Sequence, residues 1–355
     1  MNAAVHQPCG SKVVIPVSHT RRFASFLFHT CATILCGALT LGASAVSSAG
    51  ASAHHFTQPT SIAVSAGRMW VTNNRGNSVT ELTASDGYVV RVIKSRAGDL
   101  FAPLAIAASG GHVWVVSHAT NRVTELNASN GSLVRVIHAT ADGFNGPVAI
   151  AATGAHVWVA NYNGNSVTEL NASNGALVRV IHVTADGFSG PFGVAANGGQ
   201  VWIANGGGNS VTELNASDGS LISIINAPAD GFNGPSAVTV SGGQVWIANG
   251  GGNSVTELNA ADGSLVGVIN APADAFNLPN AIAVSHAHVW VTNASGNSVT
   301  ELNAVDGSLV GVISQQFDDP DAVAAGGSFV FVANYANSSL TEVNASNGLL
   351  EDVIK

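Results

Sequence analysis

Residues Gln200-Val201-Trp202-Ile203-Ala204-Asn205, followed by Gly206-Gly207-Gly208-Asn209-Ser210-Val211-Thr212-Glu213-Leu214-Asn215, return almost letter for letter 44 residues later, from Gln244 to Asn259. The aromatic in this stretch is the landmark. Trp70, Trp114, Trp158, Trp202, Trp246 and Trp290 are spaced by 44 residues, and Phe331 takes the same place 41 residues further on. A four-strand unit repeating every roughly 40 to 45 residues is a propeller signature, because such units bury their apolar faces only by stacking on one another.

Each unit divides into four short runs rich in Val, Ile, Thr and aromatics, which favour strands. In the fourth unit they are Phe192 to Ala196, Gln200 to Asn205, Asn209 to Asn215, and Ser220 to Ile225. Asp218-Gly219 separates the last two, as Asp86-Gly87, Asn130-Gly131, Asn174-Gly175, Asp262-Gly263, Asp306-Gly307 and Asn347-Gly348 do elsewhere. Such pairs predict type I′ hairpins, with positive φ at both central residues. Gly-Gly or Gly-Ala between the first two runs gives another tight reversal. The expectation is an all-β chain, a seven-bladed β-propeller of four-stranded antiparallel blades. Its repeats lie at about 59–94, 103–138, 147–182, 191–226, 235–270, 279–314 and 320–355. The repeating aromatic fills the wedge between blades. Since every blade is contiguous, closure rests on packing, unless residues 54–58 add a strand.

The segment before the repeats differs. Residues 1–53 hold no acid, carry Lys12, Arg21 and Arg22, and then run apolar from Phe23 to Leu41. That is the layout of a signal peptide. Ala43-Ser44-Ala45 and Ala51-Ser52-Ala53 both offer the small-x-small cleavage pattern, and cleavage after Ala53 leaves 54–355 as the propeller. An uncleaved anchor over Phe23 to Ala45 is the alternative, and Arg21-Arg22 leaves the export route open. Cys9, Cys31 and Cys36 all lie in this segment, so the remainder has no disulfide or thiolate chemistry.

The whole chain has 12 Lys and Arg against 21 Asp and Glu. Removing Lys12, Arg21 and Arg22 leaves 9 basic residues against the same 21 acids, a formal charge of −12. Nucleic acid is excluded as a natural partner. From Val183 onward the only basic residue is Lys355, so one sector of the ring is near neutral and the rest acidic.

The text Val157-Trp158-Val159-Ala160-Asn161, continuing through Gly164-Asn165-Ser166-Val167-Thr168-Glu169-Leu170, resembles the repeat of the YVTN family of bacterial propellers. It is similar also to NHL-type repeats and to virginiamycin B lyase-like propellers. The resemblance covers all seven units and implies the propeller fold. One unit approaches the lyase-like repeat: Trp114-Val115-Val116-Ser117-His118, then Asn121-Arg122-Val123. It implies a lyase or hydrolase acting through His118 with a divalent cation. Ser117 stands where that repeat has Glu, and no other unit has His at the place of His118.

Residues that break the repeat carry the most information, because units four and five are nearly interchangeable and a dedicated site needs different residues in different blades. In the loop after the second strand these are Asn74, Arg75, His118, Tyr162 and Tyr335, candidates to line a binding site in one sector. Drift on a solvent-facing loop is the plainer account. Asn73, Asn161, Asn205, Asn249, Asn293 and Asn334 recur at a strand end, as expected of Asn closing a turn on its own backbone. His112, His156 and His288 share a position with Gln200 and Gln244, a polar strand edge; His138 and His182 share another. Asp142, Asp186, Asp230 and Asp274 read as solvated turn residues. Asp318, Asp319 and Asp321 form the densest acidic run, the place where calcium or magnesium would bind if any cofactor does. The expected function is an exported, non-catalytic binding scaffold at or outside the cell surface, a monomer with no membrane span after cleavage. Its expected partner is a protein, a cell-wall component or a glycan.

Overall fold

The computed structural model describes residues 55–96, 98–138, 143–182, 187–197, 199–285 and 287–355. The expected signal peptide, its cysteines and both cleavage patterns, together with Asp142 and Asp186, lie outside the described residues.

Among the described residues, 28 strands form seven four-stranded antiparallel sheets, each in chain order, so the protein is a seven-bladed β-propeller. Blade four runs Pro191–Asn197, Gln200–Asn205, Ser210–Asn215 and Leu221–Ile225. The first strands of neighbouring blades pack side by side, and that of blade one, Pro59–Ser65, touches both blade two and blade seven, closing the ring.

Closure is possible because the core lies between blades. Trp202, Ala204 and Val211 of blade four pack with Val238, Val245, Ile247 and Leu258 of blade five. All six repeat tryptophans and Phe331 are at most 1% exposed, so the indoles are wedges, as their place between aliphatics predicts. Burying each removes roughly 150 to 250 Å² from water.

The two hairpins of each blade have different turns from those expected. Asp218-Gly219 belongs to a four-residue loop, Ala216 to Gly219, closed by Asn215 N–H donating to Ser220 O at 2.8 Å. Only Gly219 has positive φ, +68°. Asp218 keeps ordinary backbone because its Oδ1 accepts from the Ser220 N–H and hydroxyl, at 2.9 and 2.6 Å. Asn215 Oδ1 does the same for Ser217. The doubly positive turn falls instead between the first two strands, at Gly110-Gly111 (φ +58° and +86°) and Gly242-Gly243 (+62° and +83°).

Residues 55–58 form no strand. They replace the connection that every other blade receives from its predecessor. Phe56 is 1% exposed and sits with Ile62 and Leu82 of blade one against Phe331 and Leu340 of blade seven. Leu100, Phe144, Phe188 and Phe317 occupy the same place in other blades. The His55 carbonyl accepts from Thr80 Oγ1 at 2.6 Å, and Gln58 N–H donates to Ser338 Oγ of blade seven at 3.1 Å.

Candidate functional site

The loops after the second strands bring Asn74, Arg75, His118, Tyr162 and Tyr335 to one face of the ring, but Asn74, His118 and Tyr162 each reach toward the next blade rather than toward a common point. Asn74 Nδ2 donates to Pro103 O at 3.3 Å. His118 Nδ1 donates to Pro147 O at 3.2 Å, and Tyr162 meets Phe192 edge-on at 6.1 Å. Burial holds the His118 pKa below the usual imidazole value, against the backbone contacts of Pro147 and Gly146, so the ring is neutral at pH 7. Tyr335 of blade seven has charged neighbours from two blades. Burial first, then Asp321 and Asp319, raise its pKa, while Arg75 of blade one lowers it. Asp321 in turn accepts from Asn280 Nδ2 at 2.6 Å. The structure therefore groups Arg75, Tyr335, Asp319 and Asp321 near the meeting of blades seven and one, and leaves His118 and Tyr162 in blades two and three.

The recurring asparagines are not turn residues in contact with solvent. They are at most 1% exposed and clasp the third strand: Asn205 Nδ2 donates to Ser210 Oγ at 3.2 Å and Thr212 Oγ1 at 2.9 Å, and Asn73 repeats both contacts. Ser117, too short for that reach, is buried with its hydroxyl unpartnered among the described residues. Asp230 and Asp274 also differ from expectation. They sit at the ends of short 3-10 turns, 5% and 3% exposed, and their carbonyls accept from Thr256 and Thr300 at 2.7 Å. The Asp318 and Asp319 amides donate to Asn334 and Asn297 side chains, which fixes the turn. Among the described residues no three His, Asp or Glu side chains converge as a metal cluster.

One ring of functional groups escaped the sequence reading: Glu81, Glu125, Glu169, Glu213, Glu257, Glu301 and Glu342, all at most 4% exposed in the middle of the third strands. Each faces the wedge aromatic in register, as Glu213 does Trp202. A charged residue recurring seven times between Thr and an aliphatic, Leu in six units and Val343 in the seventh, was the available signal, since a buried carboxylate demands partners. Those partners change around the ring. Glu81 is held by Arg91 at 2.8 Å, Glu125 by Arg135 and His112, both at 2.6 Å, and Glu169 by Arg179 at 2.8 Å and His156 at 2.6 Å. Glu213 has the neutral pair Gln200 and Ser223, at 2.6 and 2.7 Å. Glu257 keeps Gln244, and Glu301 keeps His288 at 2.8 Å, but Gly267 and Gly311 stand where the outer-strand partner would be. Burial pushes up the carboxyls of Glu257, Glu301 and Glu342. His112, His156 and His288 thus serve carboxylates, whereas His138 and His182 are exposed.

A second surface repeats on the rim. Where the outer strands of blades two to six begin, Leu133-Val134, Leu177-Val178, Leu221-Ile222, Leu265-Val266 and Leu309-Val310 are 37 to 56% exposed. These strands end their sheets, so their outer backbone edges have no neighbouring strand within the blade.

The family profile described as outer membrane protein assembly factor BamB matches residues 148–351, more than half of the chain. No curated protein sequence matches. Among solved structures, the chain is similar to selenomethionine-substituted virginiamycin B lyase from Staphylococcus aureus, with a TM-score of 0.67 and 19% identity over 79% of this chain and 92% of that one. Kuenenia stuttgartiensis hydrazine synthase gives 0.69 and 16% over 85% and 100%, and a streptogramin B lyase gives 0.66 and 17% over 82% and 92%. At these identities the likeness is one of fold.

Proposed function

The chain belongs to the family described as outer membrane protein assembly factor BamB, and from that premise we propose that it is an exported, non-catalytic propeller that binds other proteins at or outside the cell surface. The observation that carries this reading is the rim, where an aliphatic pair is presented in each of blades two to six beside an open strand edge. Repeated exposed aliphatics are costly in water and serve association. An unpaired edge adds main-chain donors and acceptors that can take up an extended segment of a partner. Export through the segment 1–53, with cleavage after Ala53, places this rim outside the cytoplasm. No helix among the described residues is long and apolar enough to cross a membrane. The YVTN- and NHL-like repeat text fits a scaffold of this kind.

The test is affinity capture from the cell envelope with the wild type, a rim variant carrying Ile222→Lys and Val266→Lys, and His118→Ala. The reading predicts that the rim variant loses captured proteins and that His118→Ala retains them. Metal-dependent turnover of a lyase or hydrolase substrate, abolished in His118→Ala, would replace the scaffold with the enzyme.

A further inference from the structure

We propose that the seam between blades seven and one holds a slot for a guanidinium group, the arginine side chain of a partner protein. The inference deepens the protein-binding reading and rests on it.

Three blades show what fills this position. Arg91, Arg135 and Arg179 extend from the outer strand, pair with the buried glutamate of their own blade, and lie over the turn of the next. Arg91 Nη1 donates to the Asn130 carbonyl, and a Cβ at Gly175 or Gly219 would meet Arg135 or Arg179 Cδ at 2.7 or 2.9 Å. A planar fork spanning a carboxylate and a turn suits this geometry.

Blade seven keeps the glutamate and loses all of its partners. Phe329 stands where other blades have Arg, His or Gln, and Asp352 faces Glu342 in register where Arg91, Arg135 and Arg179 stand. Glu342 is 4% exposed and makes no hydrogen bond or ion pair among the described residues. Its Oε2 would be 3.1 Å from a Cβ at Gly87, so it is aimed at the first-blade turn, and Asp352, Glu351 and Asp86 all surround it with negative charge. Asp86 and Asp352 also line a cavity of about 640 Å³ at this seam, beside Tyr88, which is 70% exposed. An aromatic face next to carboxylates favours a flat cation. Lys355 lines the same cavity but is exposed and forms no ion pair among the described residues.

The probe is N-acetyl-arginine amide, titrated into the full chain by calorimetry and thermal melting, beside the neutral citrulline amide and calcium chloride. Arginine amide should bind about tenfold or more tightly than citrulline amide, since one charged hydrogen bond separates them. Glu342→Gln should abolish the difference. Asp352→Arg should fill the slot from within, raising the melting temperature and removing the response. Asp352→Asn gives a second reading of the same loss if Glu342→Gln fails to fold. Equal binding of citrulline amide, an unchanged response in the variants, or a calcium response lost in Glu342→Gln would each overturn the slot. Loss of the slot with rim-dependent capture intact overturns this inference alone.

Discussion

At the residue scale, stability is decided by what each blade does with two buried side chains, the wedge aromatic and the glutamate beside it. Trp202→Ala leaves a cavity between blades four and five, and should cost about 3 to 5 kcal/mol, read as a melting temperature lower by several degrees. Gly267 offers the reverse experiment. A Cβ there meets nothing within 4 Å, and Gly267 faces Glu257 as Ser223 faces Glu213. Gly267→Ser should therefore supply the missing donor and stabilise the protein by about 1 to 2 kcal/mol, measurable by urea denaturation. The raised carboxyls give a pH dependence of definite sign. A folded-state pKa above the unfolded one means that the buried charge destabilises the protein at neutral pH, and that this penalty fades as pH falls through the raised pKa toward the ordinary Glu value near 4.5. Burial of neutral His118 acts in the opposite sense below its ordinary value of 6.5. Comparing Glu342→Gln with the wild type isolates the glutamate. The variant should be relatively more stable at pH 7, with the two curves converging as pH approaches 4.5.

At the element scale the hairpins carry the repeat. Gly219 lies at φ +68°, and a Cβ there would come within 2.8 Å of Ile181 in the preceding blade. Gly219→Ala should cost about 1 to 2 kcal/mol for the left-handed backbone alone, and more for the contact. Gly199→Ala, which meets open space, should leave the melting curve unchanged. These turns also mark what the sequence could and could not convey. Strand number, blade number and the wedge role of Trp202 were legible because period and alternation are backbone properties. The turn around Asp218 was not, because Asn215 and Asp218 accept local hydrogen bonds that redistribute the backbone angles. The asparagine clasp and the glutamate ring were missed for a related reason. Asn205 and Glu213 look solvent-facing in a text of alternating polar residues, and only stacking against a neighbour buries them. The loop residues Asn74, His118 and Tyr162 were legible as departures from the repeat, yet the inner strand of the next blade that each one meets lies 29 or 30 residues further along the chain.

At the scale of the whole molecule, seven near-identical blades need one joint unlike the others, where the first meets the last. Among the described residues no strand crosses the joint. Phe56, the Gln58 to Ser338 contact and the packing of Pro59–Ser65 against blade seven hold it, while the glutamate cage is open there. Native-state hydrogen exchange measures this closure most directly, through amides of the first strands in blades one, four and seven. A ring closed by packing predicts slow exchange of similar order for Ile62 to Val64, Val194 to Ala196 and Val323 to Ala325. Exchange in blades one and seven faster by orders of magnitude than in blade four would contradict it.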